Sequence, residues 1–371
     1  MTLFRISGIL FFIIATFFSS CSKNTEPEII PVFEPTPYEI KIPPGFPTLL
    51  NIFEDNPMTV EGIELGRMLF YDTRLAGRAE EGKYMSCYSC HIQENGFVIG
   101  LPRPHPIGLD GISTHHAMLP LINLVWTPGS FGWNGSISSI EEDVLGVITD
   151  PSEFGSDDEA VEGAIRSIAG YPELFRKAFG TKDISVERIA KAIAQFVRTM
   201  ISANSKFDRY LRGEIQLSAA ELHGYVLFTT EEGADCFHCH GAAGNPLFTT
   251  NKFYNNGKDS VFTDPSDRYS ITGDNMDIGA YRAPTLRNIE FTAPYMHDGR
   301  FNTLDEVIDM YAHHLVWTPY IDPLMHHIAS GGNQLTPIEK EDLKAFLITL
   351  SDTTFINNPA FAKPDKFPDE F

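Results

Sequence analysis

Apolar residues recur at helical spacing on both sides of two short cysteine-containing segments. In "EGIELGRMLF" the stripe is Ile63, Leu65, Met68 and Leu69. In "SVERIAKAIAQFVRTMI" it is Ile189, Ile193, Phe196, Val197 and Met200. Such spacing predicts amphipathic helices. Three capping boxes predict further helix starts: Ser218 with Glu221, Thr303 with Glu306, and Thr336 with Glu339, the last with Pro337 at the first helical position. Long alternating patterns that would predict strands are absent. The segments between, such as "GLPRPHPIGLDGIS" and "FTTNKFYNNGKDSVFTDPSDRYSITGDN", are long and rich in Gly, Asn, Asp and Pro. The pattern is that of a duplicated all-α protein with long loops.

The first residues read as a leader and not as part of the fold. Arg5 supplies a short positive region, and "ISGILFFIIATFF" is an apolar run too short to span a bilayer comfortably. The run closes on "FSSC", which resembles a lipoprotein processing site with Cys21 as the lipidated residue; a plain secretory signal is the alternative. The Pro- and Glu-rich "SKNTEPEIIPVFEPTPYEIKIPPGFP" follows, as expected of a tether. A signal peptide over 1–20 and a lipidated tether over 21–46 are therefore expected, in an exported, membrane-anchored protein of the periplasm that meets the membrane through its lipid alone. The net charge of −21 over 371 residues excludes a general nucleic-acid binder, which needs a basic face. It leaves room for a basic protein partner.

The chain has five cysteines. Besides Cys21 they fall in two pairs, "CYSCH" from Cys87 to His91 and "CFHCH" from Cys236 to His240. C-x-x-C-H is the c-type haem attachment sequence: two thiols form thioethers with one haem, and the adjacent histidine becomes the proximal ligand of its iron. A zinc site built from both pairs, or two redox disulfides, are the alternatives. Neither requires a histidine directly after each pair. Two covalent haems c are therefore expected, with His91 and His240 as proximal ligands, in two cytochrome c-like domains over 47–205 and 206–356, followed by a tail over 357–371.

The segments "LGRMLFYDTRL", "FVRTMISANSKFDRYLRGE" and "RAPTLRNIEFTAPYMHDGRFNTLDEVI" resemble the bacterial dihaem cytochrome c peroxidase and MauG family. The likeness covers roughly residues 50 to 352. It implies a peroxidatic haem in the first domain, an electron-transfer haem in the second, a calcium ion between them, and a homodimer. In that register "FGWNGSISSIEEDVLGVITDPSEF" puts Trp133 at the tryptophan between the haems and Glu153 at the glutamate over the peroxidatic iron. A carboxyl there can take a proton from bound peroxide and return it to the leaving oxygen. The carbonyls of Thr292 and Pro294 match the calcium region, where all-oxygen coordination suits that ion. The asparagine that usually adds a ligand falls near His116 or Ala117. Asp143 stands where the family has a glutamine. Leu109 stands where many members carry the histidine that blocks the resting peroxidatic iron, so an iron open at rest is expected. His105, His115 and His116 are the other candidates for that sixth position.

In "TLDEVIDMYAHHL" a helical projection puts Val307, Ile308, Tyr311 and Leu315 on one face with Leu304, and Met310 about 100° from Tyr311. Tyr311 also falls at the family's distal position on the second iron, methionine in typical peroxidases and tyrosine in MauG. Tyr311 is the expected ligand, with Met310 as the alternative. Three functions follow: a peroxidase that reduces hydrogen peroxide with electrons from a small c-type cytochrome or similar donor; a MauG-like oxidase that modifies Trp or Tyr of a protein substrate; and a non-enzymatic electron carrier, which would have no use for Glu153.

Overall fold

Helices make up nearly all of the regular structure in a computed structural model that describes Met1 and residues 33–370. In chain order they are α1 (Val60–Tyr71), α2 (Ile140–Thr149), α3 (Asp158–Ser167), α4 (Tyr171–Phe179), α5 (Val186–Arg198), α6 (Lys206–Leu211), α7 (Ala219–Thr229), α8 (Phe237–His240), α9 (Tyr269–Thr272), α10 (Leu304–His313), α11 (Pro337–Ile348) and α12 (Thr353–Ile356). Single helical turns and long loops join them. One antiparallel pair, β1 (Phe253–Tyr254) with β2 (Tyr281–Arg282), is the only sheet among the described residues. The expected all-α fold is observed. All three expected capping boxes close, at the starts of α7, α10 and α11.

The duplication is visible in how the helices cross. In the first half α1 lies on α5, and a Cβ on Gly66 would stand 1.9 Å from the carbonyl oxygen of Ala192. In the second half α7 lies on α11, and a Cβ on Gly224 would stand 1.9 Å from the carbonyl oxygen of Asp342. Each crossing needs a glycine because backbone meets backbone there. Around the first pair Leu65, Leu69, Phe70, Phe175, Ile189 and Phe196 are fully buried; around the second, Phe228, Phe346 and Leu350 are. A buried arginine is paired in each half. Arg198 donates to both oxygens of Glu141 at 2.6 and 2.9 Å, and Arg287 to both oxygens of Asp208 at 2.9 and 2.7 Å. Removing one partner would leave the other charge buried alone.

Two expected boundaries differ. The tether read over 21–46 packs from Thr36 onward: Tyr38 N–H donates to the Met58 carbonyl at 2.9 Å, and Ile40 and Phe46 are buried with Val125, Trp126 and Leu247. The tail read over 357–371 also packs. Tyr71 Oη donates to the Phe361 carbonyl at 2.6 Å, Arg67 Nε to the Ala362 carbonyl at 2.7 Å, and Phe361 lies in the first core. A few widely spaced apolar residues in a polar, Pro-rich segment suffice to dock it, although they hardly change its composition. The expected signal peptide and Cys21 lie outside the described residues. No helix among the described residues is long and apolar enough to cross a membrane.

Candidate active site: two cysteine–histidine cavities meeting at Trp133

Cys87–Ser89 forms one helical turn, and His91 follows with its Nδ1 2.8 Å from the Phe97 carbonyl. That contact fixes Nδ1 as the donor and leaves the Nε2 lone pair free. Burial pushes the His91 imidazole down to about 4, so it is neutral at ordinary pH. His91, Cys87 and Cys90 line a cavity of about 710 Å³. The size suits an enclosed organic cofactor.

Glu153 and Asp143 line the same cavity. Glu153 sits on the turn after α2, where its N–H donates to the Asp150 carbonyl at 3.0 Å and its own carbonyl accepts from Leu109 N–H at 2.9 Å. The loop carrying Leu109 approaches so closely that a Cβ on Gly108 would stand 2.4 Å from the Ser152 carbonyl carbon. Leu109 itself packs against the first core. Burial first, then the charges of Asp143 and Asp150, raise the Glu153 carboxyl to about 7. Burial and Glu142 raise Asp143 to about 6. The cavity thus holds two carboxyls that exchange protons near neutrality.

The second cavity, about 210 Å³, is lined by Cys236, Cys239, His240 and Tyr311. α8 carries the His240 ring, whose Nδ1 is 3.1 Å from the Pro284 carbonyl, and burial lowers this imidazole to about 4. Tyr311 Oη accepts from Asn256 Nδ2 at 2.8 Å, and burial pushes its phenol well above the usual range. Met310 is buried on α10 but is not among the residues lining the cavity. The two cysteine pairs face different cavities, which rules out a single zinc site made from both, and all four thiols are free.

Trp133 lines both cavities, with its Nε1 donating to the Ala117 carbonyl at 2.7 Å. So does Arg282, which the sequence reading missed. Arg282 Nε donates to the Gly132 carbonyl at 3.0 Å, while Nη2 is buried without a partner. Four buried side-chain polar atoms lack partners among the described residues. Three of them, Ser86 Oγ, Arg282 Nη2 and Asn333 Oδ1, belong to residues lining these cavities. Buried polar groups need partners; an acidic cofactor edge would satisfy the Arg282 guanidinium. Free thiol pairs, neutral imidazoles with Nε2 open, and a guanidinium lining both cavities with one nitrogen unpartnered among the described residues all fit two haems c.

The remaining candidates are placed as follows. His105 has both ring nitrogens at backbone carbonyls, Thr114 at 2.9 Å and Asp298 at 3.1 Å. His115 and His116 line the first cavity, each with Nε2 2.7 Å from an Asp264 oxygen. Asp264 also accepts from Tyr281 Oη at 2.5 Å, and Tyr281 stacks on His297 at 3.5 Å. Thr292 and Pro294 line the second cavity, and their carbonyls accept no hydrogen bond among the described residues. Asn256 and Tyr281 had no spacing signal of their own, since each lies in irregular chain or on a two-residue strand.

Comparison with known proteins agrees with this geometry. The family model described as di-haem cytochrome c peroxidase matches residues 60–216. The chain is 32% identical to cytochrome c551 peroxidase of Nitrosomonas europaea, over 68% of this chain and 73% of that one. It is 31% identical to the methylamine utilization protein MauG of Methylorubrum extorquens, over 80% and 79%. A solved structure of a MauG-like protein associated with microbial copper homeostasis superposes with a TM-score of 0.78 at 35% identity, covering 89% of this chain and all of that one. The chain belongs to the dihaem cytochrome c peroxidase and MauG family.

Proposed function

We propose that this protein is a dihaem peroxidase that reduces hydrogen peroxide with electrons from a small c-type cytochrome or similar donor. The observation that carries the reading is a pair of buried carboxyls, Glu153 raised to about 7 and Asp143 to about 6, lining the cavity of His91. Two electrons and two protons convert one peroxide into two waters, and the haem irons supply the redox chemistry when bound. His91 and His240 would hold the irons through Nε2, and Cys87, Cys90, Cys236 and Cys239 would hold the haem edges as thioethers. Glu153, as carboxylate, takes the first proton of peroxide and returns it to the outer oxygen. Asp143 disfavours charge on Glu153 and so keeps that proton within reach at neutral pH. Trp133, on the wall of both cavities, offers an aromatic connection for electrons. Arg282 holds its guanidinium beside both cavities, where it can pair with carboxylates of either haem.

A MauG-like oxidase is the second reading, favoured by Tyr311 on the wall of the His240 cavity. A phenolate on the second iron would favour the oxidised state. Thr292 and Pro294 are proposed to offer carbonyl oxygens to calcium. Export to the periplasm, the lipid anchor at Cys21 and a homodimer are proposed from the sequence and the family resemblance alone. The decisive assay mixes holoenzyme, peroxide and reduced cytochrome c. Rapid cytochrome oxidation supports the peroxidase; oxidising equivalents stored without a donor support the oxidase. A protein inert to peroxide is an electron carrier, and both readings fail.

A further inference from the structure

We propose that Glu231, His238 and His326 form a site for a borderline divalent cation of the zinc or copper(II) type at the edge of the second cavity, which His326 and the supporting Asp235 also line. One ligand atom from each lies within 4.8 Å of the others. The support behind them is what marks a site. Asp235, with its side chain 6% exposed, accepts from His238 Nδ1 on one oxygen at 2.6 Å and faces His326 Nδ1 with the other at 3.2 Å. A buried carboxylate that binds the Nδ1 side of His238 leaves its Nε2 free for an ion, as second partners of metal-bound histidines do, and holds its other oxygen beside the His326 ring. Asp235 holds this position with a φ of 56°, a left-handed conformation that aspartate tolerates better than most residues.

The spacing points the same way. His238 Nε2 and Glu231 Oε1 are 3.7 Å apart, too far for a hydrogen bond. Two ligands on one ion, each about 2.0–2.2 Å from it, stand roughly 3–4 Å apart. The rings of His238 and His326 meet at 86° with centroids 4.9 Å apart, so neither blocks the other. His327 Nε2 donates to the Glu231 carbonyl at 2.6 Å and ties the two contributing loops together. Two imidazoles and one carboxylate select a borderline cation over calcium or magnesium. The cluster at His115, His116 and Asp264 lacks this arrangement: both imidazoles already point Nε2 at the one carboxylate, which Tyr281 Oη and Ser266 N–H also occupy.

His238 lies two residues before His240 on α8. A dication there would favour the reduced second haem and raise its potential.

The test uses full-length holoenzyme treated with chelator and then titrated with zinc(II) by calorimetry and copper(II) by EPR. Wild type is expected to bind one equivalent at micromolar or tighter concentration, with two nitrogen couplings on copper and an upward shift in the potential of the second haem. H326Q should lose one nitrogen coupling and bind at least tenfold more weakly. E231Q, at an exposed loop position, should weaken binding even if H326Q does not fold, and haem absorbance reports that integrity. D235N should weaken binding with all three ligands present. Absence of saturable binding, tight binding unchanged in both E231Q and H326Q, or binding lost in H116Q instead would overturn the site.

Discussion

The two cavities share an attachment motif and a neutral histidine whose Nδ1 faces a carbonyl, yet their other walls differ. The first adds two carboxyls that titrate near neutrality; the second adds a buried phenol held by Asn256. Identical C-x-x-C-H segments therefore say where a haem attaches and little about what it does. In the proposed peroxidase, proton exchange assigns peroxide to the first cavity. A buried phenol on the wall beside His240 belongs, in the same reading, with a centre that passes electrons.

That division can be broken by substitution. Glu153→Gln keeps the shape but not the proton, and peroxide turnover should fall by about 10²–10⁴-fold in steady-state assays. A fall of less than tenfold would place the acid–base work elsewhere. Phe361→Ala empties a site in the first core and should cost about 3–5 kcal/mol in urea unfolding, with the low-spin spectrum of the second haem unchanged in the native state. An unaffected midpoint would show that the terminal segment does not hold the first region together. Tyr311→Phe leaves Asn256 Nδ2 without its acceptor, worth about 1–3 kcal/mol, and should alter the low-spin spectrum of the second haem alone. The smallest effect is a pH shift. Rate should rise through a pH of about 7 as Glu153 ionises, and Asp143→Asn, by removing a neighbouring negative charge, should move that limb to lower pH. A limb that stays in place would uncouple the two carboxyls.

Much of this division was legible in the sequence. The helical stripes of α1 and α5 and the three capping boxes appeared where the pattern put them, because local periodicity and caps decide helices. Tyr311 and Met310 could be separated by a helical projection, and only Tyr311 lines the cavity. Arg282 could not be found that way. Its part depends on a β1–β2 pairing and on loops that bring Gly132 to its side chain from 150 residues away. The docking of residues 34–46 and 357–370 was missed for a related reason: Ile40, Phe46 and Phe361 are single apolar anchors in polar surroundings, invisible to composition.

EPR of the resting ferric holoenzyme, repeated on Tyr311→Phe, tests the asymmetry of the two cavities most directly. Leu109 in place of a ligating histidine and Tyr311 on the second wall predict one high-spin and one low-spin centre, with only the low-spin signal altered by the substitution. Two low-spin bis-histidine signals at rest, or a low-spin signal indifferent to Tyr311→Phe, would contradict it.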